Sequence, residues 1–253
     1  MSAADAALLL VAGVLAGLAG TVAGLASLVS YPALLAVGLP PLAANVTNTV
    51  ALVSTGIGAA ASSRPELRGQ GRRLLVLGSL AAAGGACGAA LLLTTPAGAF
   101  ELVVPWLVGG ASLVLLAQPR LARPRGGTGP AGERRPGVLA GLFAVAVYGG
   151  YFGAGAGVLI LALLAATVTE TLVRLNAVKT LISSLANVAA AVGFAVLGPV
   201  DWVAVAPLAA GFLLGGWLGP AVVRRLPEGI LRTGIGLAGL ALAVKLGLDA
   251  YRA

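Results

Sequence analysis

The stretch LVRLNAVKTLISSLANVAAAVGFAV, residues 172–196, decides how this chain folds. Most of it could sit in oil, yet it carries Lys179 in the company of Asn176, Thr180, Ser183 and Asn187. A helix turns by about 100° per residue, so these five side chains fall within about 100° of arc. The pattern is an apolar helix with one narrow polar face. A lysine at the centre of a membrane helix costs about 2.5–3.5 kcal/mol on insertion scales. Its stem could reach back to the headgroups, or it could mark a pathway through the protein. A lysine that only snorkels needs no amides and hydroxyls aligned with it, so the second reading is preferred. For Ser183 and Ser184, hydrogen bonding between packed helices is an equal alternative.

The rest of the sequence supports a bilayer as the solvent. Apolar residues make up 59% of the 253 and charged residues only 9%. Soluble domains run at about 45–50% and about 25%. Apolar runs of spanning length cover roughly residues 6–30, 42–62, 74–95, 100–117, 137–166, 172–197, 202–223 and 229–248. The expected fold is therefore an all-α polytopic membrane protein of about eight hydrophobic elements. The net charge is +8, carried mainly by short connections, which fits orientation by the positive-inside rule rather than nucleic-acid binding. With no histidine, a histidine metal site and a Ser-His-Asp triad are excluded. No cofactor is expected. Cys87, the single cysteine, reads as a small core residue. The N-terminal MSAADAALLLVAGVLAG lacks the basic start of a secretory signal and reads as the first membrane segment.

Outward from residue 176 the chain repeats itself. NAVKTLISSLAN, from Asn176, has a counterpart in NVTNTVALVSTG, from Asn45. Asn45 aligns with Asn176, Asn48 with Lys179 and Thr49 with Thr180, and Gly56 continues the polar arc of the first copy. Each signature follows a glycine-rich break, GTVAGLASLVSYPALL (20–35) and GGYFGAGAGVLILALL (149–164). Each break follows the same hexapeptide, GVLAGL, at 13–18 and 137–142. Three matches in one order point to a duplication. The expected division is a first transmembrane repeat over 1–117, a basic cytoplasmic linker over 118–136 and a second repeat over 137–253.

Charge distinguishes inverted from parallel halves. SRPELRGQGRR (63–73) is basic, whereas its counterpart LGPVD (197–201) carries only an acid. TTPAGAFE (94–101) has an acid and no base, whereas its counterpart RRLPEGILR (224–232) has three arginines. Opposite charge at equivalent positions favours an inverted repeat. Inversion needs an odd number of crossings per half, so one element in each half is expected to be broken or re-entrant. Breaks are expected at the glycines and at Pro32, Pro40 and Pro41. Eight full spans with parallel halves is the simpler alternative, but it places the basic 224–232 connection outside.

Amides, hydroxyls and one amine favour an anion. Broken helices add free backbone N–H groups and a positive dipole end. Gly20, Gly24, Gly153 and Gly155 would let backbone approach a ligand, or let helices pack closely. Tyr31, Tyr148 and Tyr151 flank the breaks and could donate hydroxyls or anchor at the interface. No acid lies at the centre of an apolar run, so a mid-membrane carboxylate for a coupling ion is not visible. With no acidic pair or metal cluster, an intramembrane enzyme is disfavoured. A Ser183–Lys179 dyad at i,i+4 equally fits a polar packing face.

These breaks and polar signatures resemble the sulfite exporter family of the TauE/SafE type over nearly the whole chain. The first break departs from the family pattern, with AGLASLVSYP where members carry a run of glycines before the proline. The resemblance implies a secondary transporter exporting small sulfur-containing anions, such as sulfite or organosulfonates. It makes the glycine breaks and Asn45, Asn48, Thr49, Asn176, Lys179 and Thr180 candidate ligand contacts. With Ser183, Asn187, Tyr31 and Tyr151 from the residue reading, these form the expected site. A passive channel or permease for another small anion or solute is the alternative. The expected partners are the anion, the lipid bilayer and a coupling proton or cation, with self-association compatible with the reading. The expected location is a bacterial inner membrane, crossed several times.

Overall fold

The computed structural model describes residues 1–121, 135–168, 170–223 and 228–252, and every element among them is a helix. The first half contains α1 (Ala3–Ala23), α2 (Ala26–Ala36), α3 (Pro41–Ser62), the short α4 (Arg64–Leu67), α5 (Gly71–Thr94) and α6 (Ala97–Leu121). The second contains α7 (Pro136–Tyr151), α8 (Ala156–Thr167), α9 (Leu172–Leu197), α10 (Trp202–Val223) and α11 (Glu228–Arg252). Among the described residues, five helices are long and apolar enough to cross a bilayer: α1, α5, α6, α9 and α10. Most of the expected linker, with Arg224 and Arg225, lies outside the described residues.

Two of the eight expected elements are pairs of helices. The run over 6–30 divides at Gly24 and Leu25 into α1 and α2, and the run over 137–166 divides at 152–155 into α7 and α8. Gly24 has a φ of 76°, a left-handed conformation that glycine adopts without a Cβ penalty. Its N–H makes a last helical bond to the Gly20 carbonyl at 2.8 Å, and the Leu25 N–H then reaches back to the Ala19 carbonyl at 3.2 Å, which closes the end of α1. The chain then bends sharply into α2, and a side chain at Gly20 would come within 2.9 Å of the Ala26 Cβ. In the second half Gly153 and Gly155 are both left-handed, and Gly155 is the N-cap of α8. Proline acts elsewhere than expected at one position: Pro32 sits inside α2, whereas Pro40 and Pro41 start α3, where a missing N–H costs nothing.

The halves interlock. α1 packs along α10 as α7 packs along α5, and α3 packs along α10 as α9 packs along α5. α3 also meets α9, and α6 meets α11. Each of these pairings joins one half to the other, and exchanging the halves exchanges the pairs. Small residues allow the close approach: a side chain at Gly17 of α1 would lie 2.9 Å from the Gly216 backbone of α10. The equivalent helices α3 and α9 run antiparallel. The connection after α9 donates the Asp201 N–H to Thr47 Oγ1 near the start of α3. The connection after α3 is held by Arg174 near the start of α9, which donates to the Glu66 and Arg68 carbonyls. Cys87 corrects the sequence expectation: it lies on the exposed face of α5, not in the core.

Candidate functional site

The breaks of the two halves touch. A side chain at Gly24 would lie 2.7 Å from the Gly157 backbone, so α1 ends against the first turn of α8. A cavity of about 60 Å³ opens beside this crossing. Roughly 10–15 Å³ suffices for one water, so the space takes an ion of a few heavy atoms. The breaks contribute Gly20, Gly24, Gly149 and Gly153 to its wall. The first turns of α2 (Ala26, Ser27) and α8 (Ala156, Gly157) also face it. Helix first turns carry amides without intrahelical acceptors and the positive end of the dipole. Two such ends at one cavity favour negative charge there.

From α9, Lys179, Thr180, Ser183 and Asn187 line the same cavity, and α3 adds Leu52 and Thr55. Lys179 is 1% exposed. Its amine does not reach back to the headgroups but donates to the Gly20 carbonyl at 3.1 Å and the Thr21 carbonyl at 3.4 Å. These are acceptors in the last turn of α1, the negative end of its dipole, where a cation is stabilising. The lysine thus satisfies the carbonyl end of a helix broken inside the protein and places its charge on the cavity wall. Thr180 and Ser184 donate back to their own helix, at Asn176 and Thr180 respectively.

The other expected residues lie around the cavity rather than on it. Asn176 donates its amide to the Thr21 carbonyl at 2.6 Å, and Asn45 donates to the Tyr151 carbonyl at 2.9 Å. Each asparagine therefore ties α9 or α3 to the end of the first helix of the opposite half. The reciprocity stops one turn later. Lys179 follows Asn176 onto α1, but Asn48 turns to α2 of its own half, donating to Ser27 and accepting from Ser30. Thr49 donates to the Asn45 carbonyl. Gly155 abuts Ala111 of α6. Tyr31 is buried edge-on against Phe152, with ring centroids 5.5 Å apart, and Tyr151 stacks towards Phe100. Tyr148 donates to the Ala154 carbonyl at 2.7 Å, bracing the second break.

A second, smaller space lies beyond Thr180, lined by Thr21, Ser63, Glu66 and Asn176. The nearby ends of α5 and α9 are tied through Glu170. Its carboxylate pairs with Arg73 at 3.1 Å and Arg174 at 3.6 Å and accepts from Gln70 at 3.2 Å. Two of these partners, Gln70 and Arg73, lie about a hundred positions away in the sequence, whereas Arg174 lies one helical turn on.

Thr55 was not anticipated. It lies inside the signature that begins at Asn45 but just off its polar arc, and only the crossing of α3 with α9 brings it to the cavity. There, a side chain at Gly56 would collide with Ser184.

The comparisons with known proteins bear on the whole chain. No curated protein and no solved structure gives a significant match. One family model does, described as Sulfite exporter TauE/SafE, and it spans residues 9–246. Taken with the multi-pass helical architecture, that match makes the chain a member of the TauE/SafE sulfite exporter family, a family of membrane transporters.

Proposed function

We propose that the chain is a secondary transporter that exports a small sulfur-containing anion, sulfite or an organosulfonate, through the cavity at the two helix breaks. The observation that carries this reading is Lys179, an amine 1% exposed, on a cavity that two helix N-termini also face. A charge so expensive to bury is retained where it meets an ion or a pathway. Family membership supplies the sulfur chemistry.

Transport by alternating access needs two bundles that can rock about a shared site. The exchangeable pairing of helices across the halves supports such a design, as does the antiparallel run of α3 and α9. We read the halves as inverted. Inversion requires an odd number of crossings per half, which holds if each broken pair, α1 with α2 and α7 with α8, enters and leaves on one face while the three long helices after it each cross once. The Glu170 cluster then lies on the cytoplasmic side. The bilayer is taken to be a bacterial plasma membrane.

Purified protein in liposomes tests the proposal. Sulfite efflux should saturate with concentration and be slowed from the same side by excess thiosulfate or sulfoacetate. Flux that rises linearly with gradient and ignores competitors would indicate a passive pore instead.

A further inference from the structure

Every hydroxyl on α3 and α9 has a hydrogen-bond partner except two. A serine or threonine inside an apolar helix ordinarily donates to a carbonyl three or four residues back. Thr49, Ser54, Thr180 and Ser184 all do so. Thr55 and Ser183 do not. Their oxygens are buried and without a hydrogen-bond partner. Thr55 is 5% exposed. Both residues line the cavity, one from each half. An unsatisfied buried hydroxyl costs stability, and a neighbouring carbonyl could have removed that cost. Two such hydroxyls on one small cavity are placed for something that enters it.

We propose that Thr55 and Ser183 are substrate contacts whose hydroxyls donate to separate oxygens of an oxoanion held near Lys179. The inference rests on the transporter reading of this cavity and assigns its selectivity. Two donors from different helices, together with an amine, match an anion with several acceptor oxygens. A single-atom anion such as chloride can meet the amine but cannot engage both hydroxyls in the same way. The pair therefore favours oxoanions over halides. It also couples the halves, since a ligand bound by both hydroxyls bridges α3 and α9 at their crossing.

The test is calorimetric titration of the purified full chain with sulfite, thiosulfate and chloride at constant ionic strength. Ligand-free melting temperatures are measured alongside. The wild type should bind sulfite more tightly than chloride. Thr55→Val and Ser183→Ala should each weaken sulfite about tenfold or more, as expected for a hydrogen bond to a charged group, and change chloride less than about twofold. Neither should lower the ligand-free melting temperature, because each removes an unpaired polar atom rather than a packed one. Thr55→Ser, which keeps the hydroxyl, should retain sulfite affinity. Unchanged sulfite affinity in both hydroxyl-less variants would overturn the proposal. So would an equal loss in Ser184→Ala, whose hydroxyl is already bonded within its helix. A wild type that responds to neither sulfite nor thiosulfate would remove the transporter reading itself, and this assignment with it.

Discussion

Lys179 performs two tasks with one amine. It donates to the last carbonyls of α1, and it presents positive charge to the cavity. Lys179→Met keeps the stem and removes both. The expected outcome is loss of sulfite flux together with a stability loss of about 1–3 kcal/mol, because buried carbonyls lose a donor. Denaturant unfolding and liposome flux on the same preparation would check this, and full flux in the variant would contradict the role. The asparagines separate the two effects. Asn45 and Asn176 donate to the ends of α7 and α1 rather than into the cavity. Asn45→Ala and Asn176→Ala should each cost about 1–3 kcal/mol of stability and slow transport by loosening the breaks. An effect from only one would contradict the reciprocal arrangement. The sequence carried these residues as one polar stripe, and composition and spacing do locate it. They do not say where a donor points. The stripe divides by height along the helix: Lys179, Thr180, Ser183 and Asn187 reach the cavity, whereas Asn176 lies one turn away against α1.

Breaks are the elements that bring the two halves together beside the cavity. Glycine clusters marked both in the sequence, but an apolar run does not reveal which residue makes the turn. Pro32 illustrates the difficulty, since it is tolerated within α2 while Gly24 makes the turn. Gly24 meets two requirements at once, a left-handed backbone and contact with Gly157. Gly24→Ala should therefore cost at least about 1–2 kcal/mol from the backbone alone, with the crowding against α8 in addition. Loss of cooperative unfolding, or a clear drop in melting temperature, is expected. A variant as stable as the wild type would mean that the breaks do not pack as described.

At the scale of the molecule, the sequence proposes a duplication into two halves because the same motifs recur in the same order. The pairing of each half's helices with those of the other is not legible there, since helix partners are set by surfaces rather than by sequence order. Thr55 and the Glu170 cluster became visible only through that pairing. The inverted arrangement makes a specific claim about sidedness. A reporter inserted in the 197–201 connection should register outside the cytoplasm, and one in the 63–70 connection inside. A cytoplasmic signal from both would return the halves to a parallel topology.

The most direct measurement is an experimental structure of the protein with sulfite bound. The account predicts density for the ion in the cavity beside the crossing of Gly24 and Gly157, within hydrogen-bonding distance of Lys179 Nζ and of the Thr55 and Ser183 hydroxyls. Sulfite bound elsewhere, with that cavity filled by side chains, would contradict it.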